Sequence, residues 1–177
     1  MNATRRSLTT ALAVVLLSLI SLPTLASWRT QIPDAQQLGQ GDLSLWGFRV
    51  YSARLLGQYA PFNPEQPFAL ELTYHRNISR ADLVEVSMEE IQRLSSITPS
   101  AQQLRKWQVE MQQAFVDVEP GMQITGVFLP GRGCQFYVGD RLQHVIADPL
   151  FAKAFFAIWL DPDTREPELR QQLLGNP

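Results

Sequence analysis

The order in which strand-type and helix-type patterns follow one another restricts the fold of this sequence more than any other feature. Apolar and aromatic residues alternate over residues 43–54 and again over 68–73, and period-two alternation is typical of β-strands. Apolar residues then recur at three- and four-residue steps, from Ser79 to Leu94 and from Thr98 to Phe115, as on one face of a helix. Such runs of strands and then of helices predict an α+β fold, with a mostly antiparallel sheet packed against a helical layer.

The second half of the sequence repeats this order. Three short strand patterns come first, and two helices follow. The first helix has Asp148-Pro149 as its capping signal and is apolar nearly all round over residues 150–159. A helix of that composition is expected to be buried, which predicts Phe155 and Trp159 as core residues. A last amphipathic helix is expected between Thr164 and Gly175. The three strands are predicted at residues 124–129, 135–138 and 142–146.

Composition and charge exclude several classes of function. The chain has 177 residues with 45% hydrophobic content, enough for one domain with a packed core. Its 15 basic residues against 17 acidic ones leave no surplus to follow a phosphate backbone, so no nucleic-acid partner is expected. Cys134 is the single cysteine and His75 and His144 are the two histidines. This set predicts no disulfide, no metal site and no cofactor.

The first 26 residues have the pattern of a cleaved signal peptide. Arg5 and Arg6 precede an apolar stretch at 11–20, and small residues end at Ala26. The alternative is a membrane anchor, but a helix that spans a bilayer needs about 20 apolar residues. The sequence therefore predicts a signal peptide over 1–26, a loosely ordered polar lead-in over 27–42 and one domain over 43–177. The mature protein is expected to be exported to the periplasm without a transmembrane span.

One polar cluster is a candidate for ligand binding. Tyr74, His75 and Arg76 end the second predicted strand, and Arg80 opens the first helix. Phenol and guanidinium groups at such a junction suit an anionic headgroup, and the helix N-terminus adds free N–H groups. The alternative is an exposed strand end. Three carboxylates on the first helix are interpreted as a solvated face: Glu85, Glu89 and Glu90.

Several segments together resemble the exported chalcone-isomerase-like proteins of bacteria. The resemblance lies in residues 48–55, 67–74 and 121–127, and above all in 146–164 and 168–175. It implies an open-faced β-sandwich in which a large antiparallel sheet packs against helices. The superfamily includes enzymes that close a chalcone to a flavanone, and also fatty-acid-binding proteins.

The resemblance breaks down at the position that carries catalysis. The enzymes place an arginine after a Gly-x-Gly stretch, where it stabilises the attacking phenolate. Here Gly39-Gln40-Gly41 is followed by Asp42, Leu43 and Ser44. The supporting tyrosine of the enzymes aligns near Leu83. Loss of the cation removes electrostatic stabilisation typically worth several kcal/mol.

Two classes of function follow from this comparison. The first is a non-catalytic domain that binds a small amphipathic anion, such as a fatty acid, or a protein partner. Within that class, Tyr74, Arg76 and Arg80 are the predicted ligand-binding residues. The alternative is a cofactor-independent isomerase or lyase whose site has been relocated. The missing arginine favours the first class.

Overall fold

The computed structural model describes residues 27–94 and 96–175, and the predicted signal peptide lies outside these residues. Six strands form one sheet in the order β1 to β6, with every neighbouring pair antiparallel. The strands are β1 (Gln36–Leu45), β2 (Phe48–Gly57), β3 (Phe68–Tyr74), β4 (Gln123–Leu129), β5 (Gly133–Val138) and β6 (Arg141–Ile146). The helices are α1 (Arg80–Arg93), α2 (Ala101–Ala114), α3 (Pro149–Leu160) and α4 (Pro167–Leu173). The α+β fold with an antiparallel sheet is thereby confirmed.

The first predicted strand is a hairpin of two strands, so the expectation of one continuous strand over 43–54 is wrong. The chain reverses at Trp46 and Gly47, whose φ angles are +50° and +80°. Two consecutive positive φ angles are the signature of a tight two-residue hairpin turn. Apolar alternation continues on both sides of this turn, so hydrophobic periodicity alone does not reveal the turn.

Residues 27–42 are also more ordered than the sequence predicts. They contain a short 3₁₀ helix, Trp28–Thr30, and most of β1. Trp28 and Ile32 are buried against one face of the sheet. The segment therefore belongs to the folded domain and covers part of the sheet face away from the helices.

Capping residues set where the helices begin. Ser79 accepts a hydrogen bond from the amide of Asp82 and Asp148 accepts from the amides of Leu150 and Phe151, as predicted. The second helix begins later than predicted, because Ser100 and not Thr98 is its N-cap. The reciprocal bond from the amide of Ser100 to Gln103 completes a capping box there.

The main core lies between the sheet and the helices. It contains the aromatic side chains of α3 together with inward-facing residues of the sheet, and Cys134 is buried within it. A smaller apolar cluster on the opposite face joins Leu56, Val127 and Tyr137 to Trp28. Both faces of the central strands are thus covered. Within the described residues, no helix has the length and hydropathy that a bilayer span requires.

The two glycines of β1 let α4 pack directly on the sheet edge. A Cβ atom at Gly39 would collide with the backbone carbonyl oxygens of Gln172 and Leu173. One at Gly41 would lie 2.7 Å from a methyl carbon of Leu169 and would also collide with the side chain of Gln172. The Gly-x-Gly stretch therefore has a packing reason in this chain, because it lets α4 approach β1 closely.

Candidate ligand-binding site

A cavity of about 420 Å³ lies between the sheet and helices α1 and α3. This volume is in the range of small-molecule sites, about 300–1,000 Å³. Most of its walls are apolar, and exposed side chains at Leu45 and Val86 mark its mouth. The apolar lining residues are Leu43, Leu45, Val50, Leu70, Leu72, Ile78, Leu83, Val86, Phe115, Ile124, Gly126, Phe136, Phe155, Phe156, Ile158 and Trp159.

Aromatic rings form the inner end of the cavity. Phe155 packs edge-on against Phe136, with ring centroids 5.1 Å apart, and against Phe156 at 5.4 Å. The absence of a side chain at Gly126 makes room for Phe156, because a Cβ there would lie 3.0 Å from the ring. Phe155 and Trp159 are buried, as predicted, but they also line the cavity. They belong to the core and to the candidate site at once.

Two tyrosines supply hydrogen-bonding groups inside the cavity. Tyr51 on β2 and Tyr74 on β3 are directly opposite each other in the sheet, and their ring centroids are 6.0 Å apart. Trp159 on α3 donates its indole N–H to the Tyr51 hydroxyl oxygen over 2.9 Å. Tyr74 lines the cavity and is 5% exposed as a whole residue, and the side-chain hydrogen bonds within the described residues include none from its hydroxyl. It is therefore free to donate to a ligand.

Burial sets the protonation state of both phenols. Desolvation raises the pKa of Tyr51 well above its ordinary value, and the negative charges of Glu166 and Glu90 raise it further. Desolvation also raises the pKa of Tyr74. Both groups are thus neutral O–H donors at physiological pH, and neither is suited to act as a base.

The charged residues of the cavity form an ion-pair cluster near its mouth. Glu90 is only 6% exposed and accepts two hydrogen bonds from Arg93, at 3.0 and 2.9 Å. Its other oxygen lies 2.9 Å from the guanidinium of Arg165. The prediction that Glu90 lies on a solvated face is therefore wrong. The two arginines neutralise the carboxylate that the helix turns inward.

Glu166 and Asp82 add two more carboxylates to the cavity wall. Burial raises the pKa of Glu166, and the neighbouring charges of Glu90 and Glu168 raise it further. Arg165 is the one cation among the described lining residues, and it is already paired with Glu90. Among the lining residues that the structure describes, no cation is therefore free of a protein partner.

Tyr74, Arg76 and Arg80, which the sequence predicts to bind a ligand together, do not share one site in the structure. Tyr74 lies in the cavity wall, whereas neither Arg76 nor Arg80 lines it. The guanidinium of Arg76 lies 4.6 Å from the ring centroid of the exposed Phe48. The backbone N–H of Arg80 donates to Asp117, and its guanidinium donates to the carbonyl of Gln112 over 3.4 Å. Ligand binding by these two arginines stays a prediction that their position does not favour.

Sequence reasoning missed Tyr51 and Arg165 as cavity residues. Tyr51 lies inside a strand pattern, where an aromatic residue needs no explanation beyond packing. Arg165 lies among acidic residues in the sequence, a setting that does not indicate an anion site. A signal for Tyr51 was available in the register, because the antiparallel partner of Tyr74 is Tyr51.

The histidines have ordinary hydrogen-bond partners. The Nε2 atom of His75 is 2.8 Å from the hydroxyl of Ser52, and that of His144 is 2.7 Å from a carboxylate oxygen of Glu110. Within residues 27–94 and 96–175, no group of three potential ligands could hold a metal ion.

Comparison with known proteins identifies a matching family and a solved structure with the same fold. A family model described as "Chalcone isomerase-like" matches residues 29–175. An uncharacterised protein of Haemophilus influenzae is 28% identical over 166 residues, covering 93% of this chain and 77% of that protein. The crystal structure of a fatty-acid binding protein of Arabidopsis thaliana superposes with a TM-score of 0.61. That match has 12% identity and covers 81% of this chain and 88% of the plant protein. At this identity the structural match concerns the fold alone.

Proposed function

This chain belongs to the chalcone isomerase-like family, and we propose that it binds a small amphipathic lipid, such as a fatty acid, without transforming it. The observation that carries this proposal is the cavity itself. Its inner end is closed by phenylalanine rings and its polar groups are gathered near Tyr51, Tyr74 and Glu90. A ligand with an apolar chain and one polar end fits such a division.

The apolar walls supply most of the affinity. Burial of apolar surface contributes roughly 25 cal/mol per Å², and an alkyl chain in the cavity would be covered by side chains from the sheet and from α1 and α3. The hydroxyls of Tyr51 and Tyr74 then fix the polar end by hydrogen bonds. The solved fatty-acid binding protein with the same fold supports a lipid as the ligand class.

The electrostatics favour binding over the alternative of an isomerase or lyase. The enzymes that this family resembles place a cation beside the developing phenolate, and such a preorganised charge stabilises the transition state. The guanidinium of Arg165 is held by the carboxylate of Glu90, and the neighbouring Tyr51 and Tyr74 are neutral. Segment 42–44, after the Gly-x-Gly stretch, contains no arginine. The cavity is therefore suited to bind a lipid, but it would stabilise the transition state of chalcone closure only slightly.

The place of action is the remaining part of the proposal. The n-region, the apolar stretch and the small residues before Ser27 support export and cleavage after Ala26. N-terminal sequencing of the protein made by its host checks this. A mature chain that begins at Met1 would contradict export by this route.

The test of ligand binding compares an occluded cavity with an unmodified one. Native mass spectrometry of protein from its own host should show a co-purified lipid, and a fluorescent fatty acid should be displaced by unlabelled lipid. Leu72→Trp places a large ring in the cavity wall and should abolish both signals. Val109→Trp adds the same ring at an exposed position of α2 outside the cavity and should leave both unchanged.

The outcomes separate the candidate functions. If the protein carries no co-purified lipid and binds no fluorescent fatty acid, the proposal is overturned and a protein partner becomes the favoured ligand. Turnover of chalcone by the wild type that Leu72→Trp abolishes would place an enzyme in the same cavity.

A further inference from the structure

The tip of the β1–β2 hairpin exposes large apolar side chains to solvent. Trp46 is 95% exposed, Phe48 is 61% exposed and Leu45 is 47% exposed. We call residues 45–48 the hairpin tip. A soluble surface tolerates single exposed apolar residues, but three of the four residues here are large and apolar, and the fourth is Gly47. Such a concentration indicates a surface that contacts something other than water.

Packing does not explain the tryptophan at this turn. Trp46 occupies the first central position of the turn with a φ of +50°, where Asn, Asp or Gly is usual. Positive φ carries a steric cost for a residue with a Cβ atom. Within the described part of the chain, the 95% exposed indole makes no compensating contact with the core. The indole of Trp46 is therefore placed to contact a partner outside the folded domain.

We propose that the hairpin tip inserts into the interfacial layer of a lipid bilayer. Tryptophan prefers the level of the headgroups at membrane surfaces, since its ring is apolar and its N–H stays hydrated. The guanidinium of Arg76 lies 4.6 Å from the ring centroid of Phe48, in reach of a phosphate that the inserted ring would approach. Arg49, next along β2, adds a second cation. Its partner, Asp42, is 3.4 Å away and both side chains are half-exposed, a weak pairing in water.

The hairpin tip is continuous with the cavity. Leu45 belongs to the tip and also lines the cavity, together with Leu43 on the same strand and the exposed Val86 across the mouth. A tip seated in the headgroup layer would bring the cavity mouth against the acyl region. A lipid could then enter the cavity along an apolar route without crossing water.

The small size of the tip favours a membrane over a protein as its partner. A stable protein interface buries about 800 Å² on each partner over some 20–30 residues. Four residues at the end of a hairpin form a narrow projection and cannot provide that area alone. Insertion into a bilayer needs no complementary surface, and each buried apolar side chain contributes by itself.

The four tryptophans of the chain make the insertion directly measurable. Trp28, Trp107 and Trp159 are buried, and residues 1–26 contain no tryptophan. Because Trp159 also lines the cavity, the signal of Trp46 is taken as the difference between the wild type and Trp46→Ser. With vesicles of phosphatidylcholine and phosphatidylglycerol, we expect a blue shift of the emission and quenching by brominated acyl chains. Flotation should show that Trp46→Ser combined with Phe48→Ser lowers vesicle binding at least tenfold. Val109→Ser, a matched loss of an exposed apolar residue on α2, should leave it unchanged.

Two results would overturn the proposal: the wild type does not float with vesicles at all, or it floats while Trp46 stays unquenched. If vesicles bind nothing and the wild type forms a concentration-dependent dimer that Trp46→Ser abolishes, the tip is instead a contact between two copies. Binding of lipid inside the cavity is measured separately, by displacement of a soluble fluorescent fatty acid, so failure of membrane docking does not contradict the proposed function.

Discussion

The indole N–H of Trp159 on α3 donates to the hydroxyl oxygen of Tyr51 on β2 over 2.9 Å. The two residues are 108 positions apart in the chain, and their bond ties the buried helix to the sheet beside the cavity. Tyr51 accepts from the protein and keeps its own O–H for a further partner. The contact therefore serves stability and ligand binding together.

Replacement of Tyr51 by Phe should reveal both roles. The indole N–H of Trp159 would lose its acceptor, which lowers the free energy of unfolding by about 1–2 kcal/mol. The polar end of a lipid would lose one donor, so its affinity should fall as well. Chemical denaturation and displacement of a fluorescent fatty acid measure the two effects.

Tyr137→Phe is the matched control for this substitution. Tyr137 is buried in the cluster on the opposite face of the sheet, and its hydroxyl donates to Gln135 over 2.7 Å. It does not line the cavity. We expect a similar loss of stability and no change in ligand affinity. Equal losses of affinity in both variants would show that Tyr51 acts only through the fold.

Arg165 should determine how strongly a carboxylate binds. Its guanidinium lies in the cavity wall and is shared with Glu90, so a fatty-acid carboxylate has to compete for it. A charge-assisted hydrogen bond contributes about 1.5–3 kcal/mol, and the exposed position of Arg165 places its effect at the low end. Arg165→Ala should weaken fatty-acid binding about tenfold. The affinity for the alcohol of the same chain length should stay the same.

Arg76→Ala and Arg80→Ala complete that experiment. Neither side chain lines the cavity, so both variants should bind a fatty acid as the wild type does. A loss in these two variants, with none in Arg165→Ala, would restore the anchor predicted from the sequence. Titration of all three variants with one fatty acid decides between the two arrangements.

The layout of the fold follows from local sequence signals, whereas the site depends on long-range pairing. Ser79 and Asp148 identify the starts of α1 and α3 because capping is a contact within a few residues. β1 escapes detection because its alternation runs into that of β2 through the turn at Trp46 and Gly47. A period alone cannot locate a turn whose residues are themselves apolar.

The candidate site could be predicted only in part for the same reason. Tyr74 stands out in the sequence because it ends a strand beside polar residues. The ion pair between Glu90 and Arg165 forms only when α1 packs against the segment before α4. A helical carboxylate with no local reason for burial looks like any solvated charge. Their pairing is a property of the tertiary fold.

Glu166 should oppose the binding of anionic ligands at neutral pH. It lines the cavity, and burial together with the charges of Glu90 and Glu168 raises its pKa above the ordinary value. Glu166→Gln removes this repulsion, so fatty-acid affinity at neutral pH should rise several-fold. The difference from wild type should vanish in acid, where Glu166 is protonated. Titration at several pH values measures this, with the alcohol of equal chain length as a ligand that does not titrate.

The same raised pKa predicts the pH dependence of stability. The folded state binds the Glu166 proton more tightly than the unfolded state, so the contribution to stability is full below the unfolded pKa. It is lost as the pH rises through the folded pKa. Glu166→Gln should therefore lessen the decline of stability with rising pH. Glu119→Gln, at an exposed position before β4 that does not line the cavity, is the control and should leave both this decline and lipid binding unchanged.

Asp148 should control stability at the acid end of the range. Burial raises its pKa, but hydrogen bonds from Trp107, Phe151 and Leu150 and the charge of Lys106 outweigh this and lower the pKa below its ordinary value. Its carboxylate caps α3 and accepts the indole N–H of the fully buried Trp107 over 3.0 Å. Asp148→Ala should lower the free energy of unfolding by about 2–3 kcal/mol, since a cap contributes about 1 kcal/mol and an unsatisfied buried donor costs about 1–3 kcal/mol.

Asp148→Asn separates the charge from the cap. An amide oxygen still accepts from Leu150 and Phe151, whereas the amide nitrogen cannot accept the indole N–H of Trp107. The variant therefore keeps the cap and loses that bond, so the loss at neutral pH should be smaller than for alanine. A lowered folded pKa gives stability that is present above the unfolded pKa and is lost as the pH falls through the folded one. Stability of the wild type should therefore decline in acid more steeply than that of Asp148→Asn, when both are measured by denaturation at successive pH values. Asp163→Asn, at an exposed position, should decline with the wild type, and parallel curves for all three proteins would contradict a special role of the Asp148 charge.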